Sequence, residues 1–249
     1  TNDFIMRTCL CLLDMSVALK VETFKKNSVL KIKDNWESIR QAIKDTVDLL
    51  NEFGFNSENI VSYVAISLMV YYRFKGGKFD VDSKNELRKY IVIAQVKQIF
   101  GTASNSALTS IREALKAVPT NSFKMSNLND VRFAGDRTLR YTSDDIEAMF
   151  DTYQIGAYTF MLLSLLYPNL KYSQKGFHQD HMHPYTGFEE NKIDGLVLPD
   201  GSVIEDTMKE EWRRRNTLAN LQLIEGRENE VKNSAPLVEW LKVGENKKT

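Results

Sequence analysis

The chain has only two cysteines in 249 residues, and their placement suits neither a disulfide framework nor a zinc knuckle. Cys9 and Cys11 lie two apart, a spacing that sends them to different faces of a helix. They read as small core residues of a protein kept in a reducing, cytoplasmic compartment. Net charge is missing as well. The 33 basic and 33 acidic residues cancel, so no global field draws the chain to nucleic acid or membrane, and an anionic partner must be met by a local patch. Long hydrophobic runs are also absent. Ile60 to Tyr72 and Ile155 to Tyr167 fall short of the roughly 18 to 20 residues that a membrane span needs. No opening stretch has the pattern of a signal peptide, and no Walker-type glycine-rich loop offers a nucleotide site. There is no initiator methionine, and apolar periodicity begins at once with Phe4, Ile5 and Leu10. The expectation is a fragment of a longer protein.

What is present is mostly helical pattern. A hydrophobic share of 43% is ordinary for a globular protein and leaves room for one large or two modest domains. Asn2-Asp3 can cap a first helix bearing Ile5, Met6, Cys9, Leu10, Leu13 and Met15 at three- and four-residue intervals. A polar link through Lys25, Lys26 and Asn27 leads to a helix over about 34–53, with Trp36, Ile39, Ile43, Val47 and Leu50 as its stripe and Gly54 as its stop. Further helices are expected over about 58–75, ended by Gly76-Gly77, from a cap at Asp82 or Ser83 to about Phe100, and from Ser104 or Ser106 to about Val118. The stretch 119–142 supports only short helices. Ser143-Asp144-Asp145 caps a helix to about Tyr153, and Gly156 to Leu166, apolar on all sides, reads as the centre of the helical domain, closed by Pro168.

From Lys171 the texture changes to short β-like pieces with Gly, Pro and Asp punctuation. The fold class is therefore mainly α: a helical, bundle-like scaffold over 1–170, then a small ββα domain over 171–249. Gly195 to Ile204 reads as a hairpin, Asp206 to Arg215 as a short helix with a basic end, and Thr217 to Ile224 as a strand that alternates Leu221 and Leu223 with Asn220 and Gln222. A helix should begin near Arg227, and Ser234 and Pro236 should start a terminal one.

All three histidines fall within Phe177-His178-Gln179-Asp180-His181-Met182-His183-Pro184. An Asp-His pair at the end of an extended segment sets an anionic metal ligand beside an imidazole that takes a proton near neutral pH. That pairing points to a metal-assisted hydrolase.

Asp180-His181 on one strand, Asn220 at a second and Asn229 in the first turn of a following helix, nine residues after Asn220, resemble the ββα-metal finger of HNH (His-Me finger) endonucleases. Asp180-His181-Met182-His183-Pro184 looks like its first half, and Asn220-Leu221-Gln222-Leu223-Ile224 with Arg227, Glu228, Asn229 and Lys232 looks like its second. The resemblance implies that Asp180 and Asn229 bind a metal, that His181 is the general base, and that Asn220 holds the loop carrying the histidine. The chemistry is compatible: one carboxylate, one amide oxygen and water make a hard, incomplete shell suited to Mg²⁺ or Mn²⁺, and an imidazole can take a proton from water only if it is not itself a ligand. Many such fingers carry cysteine-bound zinc; this chain has no cysteine after Cys11. Its finger must then be held by packing, with Trp212, Leu237, Trp240 and Leu241 as anchors.

The Asn2-Asp3-Phe4-Ile5-Met6-Arg7-Thr8 opening, the Asn35-Trp36 helix and the run Arg213 to Leu221 are similar to the C-terminal portion of GmrSD-type restriction proteins. That likeness implies an upstream nucleotide-using domain, DNA as partner and a role in bacterial defence. Lys232, three residues after Asn229 on one helix face, could reach the scissile phosphate. Arg213, Arg214 and Arg215 could clamp the backbone or merely favour a helix end. His178 and His183 are weaker candidates for a direct role; His183, two along from His181, would share its face in a strand and could touch phosphate. Against the nuclease stands a non-catalytic module, whose decayed finger grips nucleic acid or protein, or a metal-stabilised structural domain. The intact Asp-His-Asn-Asn set argues for catalysis, because a binding module has no need of a general base.

Overall fold

Ile66 to Tyr72 present no polar face, and a helix apolar all round is stable only when covered on every side. In the computed structural model this segment is helix α4 (Ile66–Phe74), with every residue from Ile66 to Tyr72 buried. It packs against α1 (Asn2–Leu12), α3 (Trp36–Glu52) and α6 (Ser104–Lys116). Asp14, just past α1 at φ 58°, ties these helix ends together. Its carboxylate accepts from Lys75 Nζ at 2.7 Å, Lys116 Nζ at 3.0 Å and Tyr71 Oη at 3.2 Å. Burial pushes the Asp14 carboxyl upward, but the hydrogen bonds from Lys75 and Lys116 outweigh it and hold the group below its ordinary value. Cys11 lies in the same packed region, and burial pushes its thiol up to about 12, against the opposing pull of Arg112.

The structure describes residues 2–117, 121–152, 154–188, 197, 200–203, 209 and 216–245. Two compact units divide the chain, Thr1–Arg140 and Tyr141–Thr249. In the first, the expected link at Lys25 to Asn27 instead opens α2 (Lys26–Asp34), which precedes α3 across Asn35. The stripe of α3 is rotated from the expected one: Ile39, Ala42, Thr46, Leu49 and Leu50 are buried, while Trp36 and Val47 are exposed. Gly54, at φ 84°, does follow its end. Residues 58–62 are not helical. Asn56 Oδ1 accepts from Glu58 N, and Asn59 Oδ1 accepts from Asn56 N, so asparagine side chains satisfy the backbone in a turn before α4. The cap of α5 (Val81–Val96) is Asp80, which accepts from Ser83 N at 2.8 Å, rather than Asp82 or Ser83. Single 3-10 turns at Met125–Leu128 and Ala134–Asp136 fill the stretch expected to be short of helix.

The second unit begins earlier than the change of sequence texture near 170. Thr142 and Asp145 bond reciprocally to each other's backbone N–H at the start of α7 (Ser143–Thr152). Helix α8 (Ala157–Leu166) belongs here, not to a helical centre over 1–170. It buries Phe160, Met161 and Leu163 and packs on β2. Strand β1 (Phe177–His181) pairs antiparallel with β2 (Leu221–Glu225), and α9 (Gly226–Lys232) leads straight out of β2, followed by α10 (Leu237–Glu245). Thr217 to Asn220, expected as strand, is an irregular lead-in with a 3-10 turn over Leu218–Asn220.

The sheet is held to the helices by α8 and by Gln179 Oε1, which accepts from Gly156 N at 2.9 Å. Of the expected anchors, Leu237 and Trp240 are half-buried, Leu241 is exposed, and Trp212 lies outside the described residues. Val197 and Val203 form an antiparallel bridge about Gly201 at φ 85°, as a hairpin there requires. The helix expected over 206–215 lies outside the described residues except for Lys209. Among the described residues no helix is long and apolar enough to cross a membrane.

Candidate active site

Antiparallel register places Asp180 opposite Gln222 and His181 opposite Leu221. Cross-strand neighbours on one face are close enough for their side chains to bond, and Gln222 Nε2 donates to Asp180 Oδ2 at 2.9 Å. Because α9 follows β2 with no intervening loop, its last residue returns to the same place. Lys232 Nζ stands 2.8 Å from Asp180 Oδ2 and donates to the backbone oxygen of His181 at 2.6 Å. Lys232 is 1% exposed, among the most buried side chains in the chain. Its ammonium is turned inward onto Asp180 and the His181 carbonyl oxygen, not outward as a phosphate contact would place it. The i to i+3 relation with Asn229 gives the helix face correctly, but that face turns inward.

A buried carboxylate and ammonium each lose hydration, and the pair survives because both ends find further bonds. Removing the lysine alone would strand a carboxylate that is 9% exposed, at a cost of about 3 to 5 kcal/mol. Among the described residues Asp180 Oδ1 has no hydrogen-bond partner, so one oxygen of the pair remains available. Asn229 is half-buried one helical turn before Lys232, and its amide too has no partner among the described residues.

His181 is oriented by a residue that sequence reasoning missed. Its Nε2 lies 2.7 Å from Asn216 Oδ1, and its ring centroid lies 5.7 Å from that of Tyr185. A carbonyl oxygen only accepts, so Nε2 is the donor in this contact, and in the neutral ring that leaves Nδ1 as the acceptor. No sequence signal marked Asn216, which stands four residues before Asn220 in the irregular lead-in to β2.

Asn220 extends the sheet beyond its last strand pair. Its backbone oxygen accepts from Met182 N at 2.8 Å, its Oδ1 accepts from His183 N at 2.9 Å, and its Nδ2 donates to His183 O at 2.9 Å. It thus holds the loop after His181, and at 5% exposure it does so away from water. His183 does not share a strand face with His181, because β1 ends at His181; it is an exposed loop residue. His178 is exposed at the far end of β1, opposite Ile224, where a β-carbon placed on Gly226 would stand 3.2 Å from its Nε2. Arg213, Arg214 and Arg215 lie outside the described residues.

Among the described residues no three His, Cys, Asp or Glu side chains gather into a metal-holding group. The donors that the sequence proposes, one carboxylate oxygen of Asp180 and the amide oxygen of Asn229, are hard and few. They fit a cation that keeps most of its water, as Mg²⁺ does, and do not fit a zinc cage.

In comparisons with known proteins, no family model matches the sequence, and no curated protein matches it.

Proposed function

We propose that the second unit is a metal-dependent endonuclease of the HNH type that hydrolyses DNA phosphodiesters, as the nuclease part of a restriction-type defence protein. What carries this reading is His181. It has one ring nitrogen tethered to Asn216, the other free to accept a proton, and the partly open Asp180 carboxylate next to it in sequence.

Asp180 Oδ1 and the Asn229 amide oxygen would hold Mg²⁺ or Mn²⁺. The ion, when bound, would supply positive charge against which a phosphodiester's developing negative charge is stabilised. His181 Nδ1 takes the proton from the attacking water, and the Asn216 carbonyl stabilises the imidazolium through Nε2–H. Asn220 fixes the backbone at His183, so the loop after the base does not drift. Arg213, Arg214 and Arg215 supply the local positive patch that a chain of zero net charge needs to grip a polyanion.

A second reading has one observation in its favour. Asp180 already carries a buried counter-ion in Lys232, as it would in a finger that had become a purely structural or binding module. Plasmid nicking separates the two. The nuclease reading expects nicking with Mg²⁺ or Mn²⁺, none with EDTA, and a loss of about 10² to 10⁴ in rate for His181→Ala with circular dichroism unchanged. Wild-type turnover in that variant would sink the assignment of the base.

A further inference from the structure

The buried ammonium of Lys232 bears on more than stability. It stands 2.8 Å from Asp180 Oδ2, the oxygen that also accepts from Gln222, so this carboxylate already has a counter-ion within the chain. Among the described residues no group of three acidic, histidine or cysteine side chains gathers there. Of the acidic residues on β2 and α9, Glu225 is paired with Lys175, and Glu228 and Glu230 are exposed.

A dication approaching Asp180 Oδ1 meets the carboxylate with the Lys232 ammonium behind it on Oδ2. The ammonium offsets part of the carboxylate's attraction. The oxygen donors are right in kind, but the charge that normally holds a hard dication is reduced. A phosphodiester brings that charge. With its anion beside Oδ1 the site becomes net negative, and the cation gains a bridging partner.

Resting on the nuclease reading, we propose that Lys232 is the internal counter-ion of Asp180 and makes retention of a divalent cation conditional on bound DNA. The free protein then holds the ion weakly, the DNA complex holds it tightly, and by linkage the ion raises the affinity for DNA by the same factor. The lysine is a positioning and charge-setting residue. It stays on Asp180 throughout and does not touch the substrate.

The test measures Mn²⁺ binding, read from the free-ion electron paramagnetic resonance signal, in full-length His181→Ala protein that cannot turn over. It is done with and without a short duplex, after subtracting the ion held by the duplex alone. The expected result is at least tenfold tighter Mn²⁺ binding when DNA is present, with DNA affinity rising equally when Mn²⁺ is present. In Lys232→Met added to that background, Mn²⁺ should bind at least tenfold tighter without DNA, and the coupling should shrink towards one. Equal Mn²⁺ affinity with and without DNA overturns the proposal, as does no detectable Mn²⁺ binding in either state, or a folded Lys232→Met protein that binds Mn²⁺ no more tightly. If Lys232→Met fails to fold, the coupling measured with the lysine in place decides alone. The nuclease reading fails separately: it falls if the wild-type protein nicks no DNA with either ion, whereas nicking with uncoupled Mn²⁺ binding sinks only the role given to Lys232.

Discussion

His181 Nε2 and Asn216 Oδ1, thirty-five positions apart in the chain, meet at 2.7 Å. The contact fixes both the ring's orientation and the nitrogen that bears its proton. Asn216→Ala is expected to slow single-turnover cleavage by roughly 10- to 100-fold, the usual cost of losing a partner that orients a functional group, with Mn²⁺ affinity and melting temperature nearly unchanged. Nitrogen-15 imidazole spectra should show one dominant tautomer for His181 in the wild type and a mixture in the variant. A single unchanged tautomer would mean that the ring is held by something else.

Asn220 makes two side-chain bonds to one residue, and each has its own substitution. Asn220→Asp keeps the acceptor for His183 N but turns an oxygen towards His183 O, while Asn220→Leu loses both bonds and leaves two backbone groups unpaired. Leaving a buried backbone group unpaired costs about 1 to 3 kcal/mol. Urea midpoints should therefore fall for both variants, and cleavage should fall further than stability explains, because the loop following the base is no longer fixed. Midpoints equal to wild type would show that the loop is held elsewhere.

Salt dependence tests the arginines. Replacing Arg213, Arg214 and Arg215 together by Ala should weaken binding to all DNA sequences alike and flatten the log–log salt slope by about 0.9 for each phosphate that is no longer neutralised. Loss of affinity for one sequence in preference to others would instead make them readers of bases.

The first unit should show opposite pH limbs from two groups. The Cys11 thiol is raised by burial to about 12 in the folded chain, so its contribution is complete below the unfolded value of about 8.5 and is lost as pH climbs from there towards 12. Asp14 is lowered, so its contribution holds above its unfolded value of about 3.9 and is lost as pH falls through the folded one. Urea midpoints across pH should decline at both ends. Cys11→Ala should flatten the alkaline limb and Asp14→Asn the acid one. An alkaline limb unchanged in Cys11→Ala would assign it to other groups, such as Tyr71 and Tyr90, both raised by burial.

Legibility of the sequence followed burial. The strongly apolar α4, the Gly54 stop and the β1, β2 and α9 order were all readable, because each left a periodic or conformational signature. Helix α2 left none: no residue of it is buried, so no apolar stripe marked it. Residues 58–62 carried helix-compatible residues, yet Asn56 and Asn59 captured the backbone first. At the site, spacing predicted which residues share an element, but not which way the element turns. Lys232 shares a helix with Asn229 as the spacing expects, but its bonds to Asp180 and to the His181 carbonyl oxygen had no local signal. Asn216 was invisible because its partner is thirty-five positions away, and nothing local in an irregular segment announces a long-range bond.

Asn220 grips position 183 only by its main chain, and that leaves the identity of the side chain there unconstrained. Any residue with an amide proton can occupy it without moving the loop; proline alone would break the grip. Position 183 is thus a place where sequence can drift freely within a framework that cannot. A lineage could try a lysine, a tryptophan or a glycine at the edge of the site, altering what an incoming strand meets while the groups beneath keep their distances.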